Sequence, residues 1–241
     1  MQYHGSSSSK IFLAVIALSG LAVLASSTLH ANSTGQFRFV SFLMVACLAA
    51  RLKVKLPGLT GNMSVNLPFI LVAVAEMSTS EAIAVACVST LVQSLPRATQ
   101  KFNPIQAAFN FCNMALVVAA TRFAFVHLIS ASAIVSHVLL LSVSAVVFCL
   151  LNTVPVAIII ALTEAKNALT IWGNIFQLSF PYFVLSAAIA GLVLTASQQI
   201  GWQAPLLVLP VMLGVYHSYK RYFSSGAASA PLANAKAATA S

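Results

Sequence analysis

Long apolar runs separated by short polar or basic stretches repeat along the chain, at 11–29, 37–50, 63–76, 81–95, 104–128, 133–162, 171–197 and 204–222. The runs are continuous and do not alternate apolar with polar residues, so they read as helices and not as strands of a closed barrel. A helix that crosses a membrane needs about 20 apolar residues, with a range of about 17–25. The pattern predicts an all-α fold, a polytopic transmembrane bundle of about eight helices over 11–222. A short N-terminal segment, 1–10, precedes it. The tail 223–241 is rich in Ala and Ser without apolar periodicity, which predicts disorder.

Composition sharpens the class. Of 241 residues 60% are hydrophobic and 6% charged, with a mean hydropathy of +0.95. A soluble domain carries about 25% charged residues to keep its surface hydrated. Three acidic residues cannot do that, so a soluble globular protein is excluded. The net charge of +9 does not mark a nucleic-acid binder, because the cations sit in short clusters between apolar runs, as topology signals do. The four cysteines each lie inside an apolar run and act as small hydrophobes, with no disulfide or metal framework.

Charge also orients the chain. If 1–10 is cytoplasmic, eight crossings put 51–62, 96–103, 163–170 and the segment after 219 on the same side. Those stretches hold Lys10, Arg51, Lys53, Lys55, Arg97, Lys101, Lys166, Lys220, Arg221 and Lys236, ten of the twelve basic residues. The intervening loops 30–36, 77–80, 129–132 and 198–203 hold no lysine or arginine. Lys and Arg in excess on one side mark the cytoplasm, so both termini are expected there, in a bacterial inner membrane.

Two alternatives stay open. The runs 63–76 and 81–95 are short, and could instead be a re-entrant pair meeting at Met77-Ser78-Thr79-Ser80, which leaves the parity unchanged. Lys10 and the following apolar run also resemble a secretory signal, although Ile11–Leu29 exceeds the usual 7–15-residue apolar core of one.

Polar residues within the spans are the candidates for function, since an ionisable group at membrane depth costs about 2.5–3.5 kcal/mol on insertion scales. Arg122 rises about 27 Å from Pro104, to the outer boundary. Glu76, Glu81 and Arg38 fall at the same depth. One reading is an outward polar pocket or gate in which Arg122 pairs with Glu76 or Glu81. The other is interfacial snorkelling, with Glu81 as an N-terminal helix charge. Gln106, Asn110 and Asn113 recur at spacings of four and three, so they share a helix face. Such amides either bond across helices or line a pocket. With Asn62 and Asn66 they would form a polar inner cluster. Pro68 lacks a backbone donor and can open the helix beside Asn66. No nucleophile–base set, metal-spaced histidine cluster or phosphate loop is present. Catalysis, cofactors and metals are therefore not expected.

Asn62-Met-Ser-Val-Asn-Leu-Pro-Phe-Ile-Leu, then Leu95-Pro96-Arg97 and Phe109-Asn110-Phe111-Cys112-Asn113-Met114-Ala115, resemble the multi-pass N-terminal membrane region of bacterial GGDEF- and HD-type signalling proteins. Trp202-Gln203-Ala204-Pro205-Leu206, Leu209-Pro210 and Tyr216-His217-Ser218-Tyr219-Lys220-Arg221-Tyr222 resemble the end of that region. The resemblance covers most of 40–222. No cyclase or phosphohydrolase follows in this sequence, so it implies a free-standing sensory input module and not the family's output activity. Helix number and short broken segments are more distantly similar to the substrate-binding membrane components of energy-coupling factor transporters. The expected partners are the lipid bilayer, a signalling or transport protein, and a second copy of the chain. A sensor, a small-solute transporter or capture subunit, and a structural membrane protein all remain open.

Overall fold

A computed structural model describes residues 7–29, 35–55, 62–96, 102–131, 137–201, 203, 208–214, 216–218 and 221. The expected disordered tail lies outside them, as do residues 1–6. Among the described residues eight helices form: α1 (Ser7–Leu29), α2 (Gln36–Arg51), α3 (Leu67–Glu76), α4 (Thr79–Ser94), α5 (Pro104–Ala131), α6 (His137–Glu164), α7 (Ala168–Ile200) and α8 (Val208–Ser218). Among the described residues the one ladder is antiparallel, of β1 (Lys53–Lys55) and β2 (Asn62–Ser64), and pairs Lys53 with Ser64, Val54 with Met63 and Lys55 with Asn62.

Four helices, α1, α5, α6 and α7, are long and apolar enough to cross a membrane. The others are shorter. α2 and α4 have 16 residues each, about 24 Å of rise. α3 has ten, about 15 Å, or half of the ~30 Å hydrocarbon core. The apolar run 63–76 thus differs from a full helical span. Its first residues are spent on β2, and helix begins only at Leu67, where Pro68 fits the first turn because it needs no donor there.

Contacts fix the directions. Arg38, near the start of α2, pairs with Glu76 at the end of α3, so these two run antiparallel. The Lys53 ammonium donates to the Leu95 carbonyl at 3.1 Å, which brings the ends of α2 and α4 together. α3 therefore rises to an elbow at Met77-Ser78, and α4 returns beside it. Every residue from Leu67 to Val74 is buried, packed among α4, α5, α6 and α7. An element apolar on all faces belongs inside a bundle. The outward faces of the longer helices carry exposed apolar side chains such as Leu18, Met44, Phe123 and Leu192.

α1 is peripheral but seated. Gly20 lies so close to α5 that an added Cβ would stand 2.6 Å from both the carbonyl oxygen and the Cβ of Cys112. Small residues permit this close approach of membrane helices. Pro155 and Pro181 lie inside α6 and α7, neither of which is broken there.

Candidate functional site

α3 is held at both ends by side chains from other helices. A helix leaves four N–H groups unpaired at its start and four carbonyls at its end, and burial makes each one costly. At the start of α3, Phe69 and Ile70 both donate to the Asn66 carbonyl, at 3.1 and 3.2 Å. Pro68 has nothing to donate. The Leu67 amide donates to the Tyr182 hydroxyl of α7 at 3.2 Å. The Asn66 side chain instead reaches sideways, its Nδ2 donating to Ser89 Oγ of α4 at 3.1 Å. All four positions are thus accounted for inside the protein.

At the other end Met77 donates to the Ala73 carbonyl at 3.0 Å. Arg122 of α5 brings Nη1 onto the carbonyls of Val74 and Ala75, the latter at 3.3 Å. A guanidinium on the last carbonyls of a helix also meets the negative end of its dipole. Its Nε is buried and has no partner among the described residues. Beside it, Glu76 accepts from Arg38 of α2 and, at 2.6 Å, from Ser197 Oγ of α7. Glu81 closes a capping box with Ser78: the Ser78 amide and hydroxyl donate to Glu81 at 3.2 and 3.0 Å, while Ser78 Oγ accepts from the Glu81 amide. Two of the three acidic residues in the chain are therefore spent on one elbow.

The residues singled out by depth, Arg38, Glu76, Glu81 and Arg122, do gather at this end. Their pairing differs from the expectation. Arg122 bonds to backbone carbonyls and to neither glutamate, and Arg38 takes Glu76. Depth along a helix gives level but not angle, and the angular position of α2 decides which arginine reaches the carboxylate.

The inner amide cluster is not assembled. Arg122 and Asn113 are nine residues apart, two and a half turns at 3.6 residues per turn. The face that presses Arg122 onto α3 is thus opposite the face bearing Asn113. Gln106 and Asn110 share that second face; Gln106 is exposed, Asn110 half-buried and Asn113 only 3% exposed. The Asn113 side chain has no hydrogen-bond partner among the described residues. Asn66 stays with Ser89, while Asn62 lies on β2 opposite Lys55, its side chain outside the described set. Sequence reasoning missed Tyr182, Ser89 and Ser197. Nothing local distinguishes them from the other hydroxyls of α4 and α7, because their partners lie 23 to 121 residues away.

No protein-family model matches the sequence, and no curated protein and no solved structure matches it either.

Proposed function

We propose that the chain is a multi-pass bacterial inner-membrane protein that has both termini in the cytoplasm and works without catalysis, as a sensory input module acting through a partner protein. One observation carries this reading: α3 is a buried half-length helix tied at both ends. At the elbow end its ties are Arg38, Ser197 and Arg122. At the other end α3 runs directly into β2, whose ladder joins it to Lys53 and Lys55. The charge asymmetry assigns that ladder to the cytoplasmic side. A disturbance of the outward elbow then has a short rigid path to a basic cytoplasmic hairpin, where a partner would read it. Packed elements with two discrete arrangements are what carry coupling between distant sites.

A second reading, a small-solute transporter or capture subunit, is favoured by the same half-helix, since broken helices at mid-membrane commonly form transport sites. The buried Asn113 amide and the hydroxyls of Thr90 and Ser186, which have no partner among the described residues, add to it. Against it stands the complete internal pairing at the N-terminus of α3, which leaves no donor there for a solute.

The test uses a cysteine-free background with one cysteine at Lys53, labelled in inside-out vesicles. The Glu76→Gln variant should change the labelling rate about threefold or more, equivalent to shifting a local equilibrium by about 0.6 kcal/mol. An unchanged rate sinks the sensory reading. Solute-dependent protection of a cysteine at Asn113 would favour transport instead.

A further inference from the structure

We propose that the α2 side of the protein is built for a thinner stretch of bilayer than the α5–α7 side, and that local bilayer thickness is the input that α3 receives. This rests on the sensory reading above and names its stimulus.

The geometry is asymmetric. On α2 the charges Arg38 and Arg51 are thirteen residues apart (51 − 38), so the apolar band between them is about 20 Å tall. Val40, Met44 and Leu48 form an exposed stripe at four-residue spacing along that band. Behind it stand α4, about 24 Å, and α3, about 15 Å. Among the described residues α2 packs mainly on α4, with smaller contacts to α3 and β2. On the other side α5, α6 and α7 have 28, 28 and 33 residues, about 42 to 50 Å. α7 carries no Asp, Glu, Lys or Arg at all, and α6 none before Glu164. One molecule thus presents a band well under the ~30 Å hydrocarbon core on one flank and helices long enough to cross it on the other.

A short band is ordinarily relieved when flanking arginines stretch toward the headgroups. Arg38 is not at liberty to do so, because its guanidinium is engaged with Glu76. A bilayer too thick for α2 therefore pulls on the Arg38–Glu76 pair, and Glu76 is the last residue of α3. In a thin bilayer the pair is at rest. The partner is the acyl-chain region of the membrane itself, in its short-chain form.

The test reconstitutes the full chain in monounsaturated phosphatidylcholines of increasing chain length, from fourteen to twenty-two carbons, and reads two signals: thermal stability, and labelling of a cysteine at Lys53. Stability should be highest in the shorter chains, and labelling should change about threefold or more across the series. Arg38→Leu should move the optimum to longer chains, and so should Glu76→Gln, which leaves the band intact but frees Arg38 to stretch toward the headgroups. Should Arg38→Leu fail to fold, Val40→Arg on the lipid-facing stripe should steepen the fall in long chains. A flat stability profile, or an optimum that neither pair variant moves, overturns the inference. So does efficient cross-linking of two copies through a cysteine at Met44, since protein and not lipid would then cover the stripe. The sensory reading fails separately, when stability has a thickness optimum but Lys53 labelling follows neither thickness nor Glu76→Gln.

Discussion

Tyr182 on α7 accepts a hydrogen bond from the backbone amide of Leu67 at 3.2 Å, and this contact fastens the start of α3 to a helix more than a hundred residues later in the chain. Both groups are buried. Tyr182→Phe keeps the ring against Phe183 and removes the hydroxyl that accepts from Leu67. An unsatisfied buried N–H costs about 1–3 kcal/mol. The variant should lose that much stability, seen as a lowered unfolding midpoint in detergent titration; an unchanged midpoint would mean that the amide has found another acceptor.

Arg122 is expected to behave as a helix cap and not as half of an ion pair. Arg122→Leu leaves the carbonyls of Val74 and Ala75 without donors and should destabilise by about 1–3 kcal/mol. Arg122→Lys keeps the charge at the dipole but loses the forked donors, so it should recover only part. Replacing Glu81 should not change the effect of either variant, because the two sites share no bond; a double-mutant cycle measures that independence.

Arg38 and Glu76 should show coupling. Their side chains are 29% and 16% exposed, enough burial to make the pair worth about 1–2 kcal/mol. Glu76→Gln should cost more than Arg38→Gln, since Glu76 also accepts from Ser197. The cycle across Arg38→Gln and Glu76→Gln checks this, and a coupling near zero would mean that the pair contributes nothing to holding the elbow.

Gly20 tests the seating of α1. Gly20→Val places carbon atoms where the backbone of Cys112 already stands, and backbone cannot yield as a flexible side chain can. α1 should lift from α5, and a small permeant thiol reagent should then reach Cys112, which is buried in the native chain. Gly173→Val is the control, because nothing lies near that glycine.

Asn113 separates packing from a pocket. Its amide is 3% exposed without a hydrogen bond among the described residues, so Asn113→Leu should be neutral or mildly stabilising, within about 1 kcal/mol. A loss of stability that added solute restores only in the unsubstituted protein would reveal a ligand bound at that amide.

Much of the helical arrangement was legible in the sequence because apolar run length is a one-dimensional signal. The runs at 37–50, 104–128 and 171–197 sit within α2, α5 and α7. The spacing of four and three that put Gln106, Asn110 and Asn113 on one face was also legible, and Glu81 as an N-terminal charge of α4 followed from the turn before it. What was hidden is lateral. The sequence ranks Arg38 and Arg122 by depth, yet only packing says that one meets a carboxylate and the other a pair of carbonyls. The ladder at 53–55 and 62–64 was hidden as well. Met63 and Ser64 read as the start of the apolar run 63–76, and only the pairing of 62–64 with the strand after α2 makes them extended.

The long reach of the α3 ties has a consequence for how the protein is made. Synthesis delivers α3 well before Tyr182 and Ser197, which lie 115 and 121 residues further along from their partners. When α3 leaves the ribosome, its first amide has no hydroxyl to meet and Glu76 has only Arg38. A ten-residue helix with open ends cannot stand alone in lipid, so the nascent chain must shelter it until α7 arrives. Biogenesis therefore finishes in the middle of the sequence, with the arrival of the last long helix locking a segment translated far earlier.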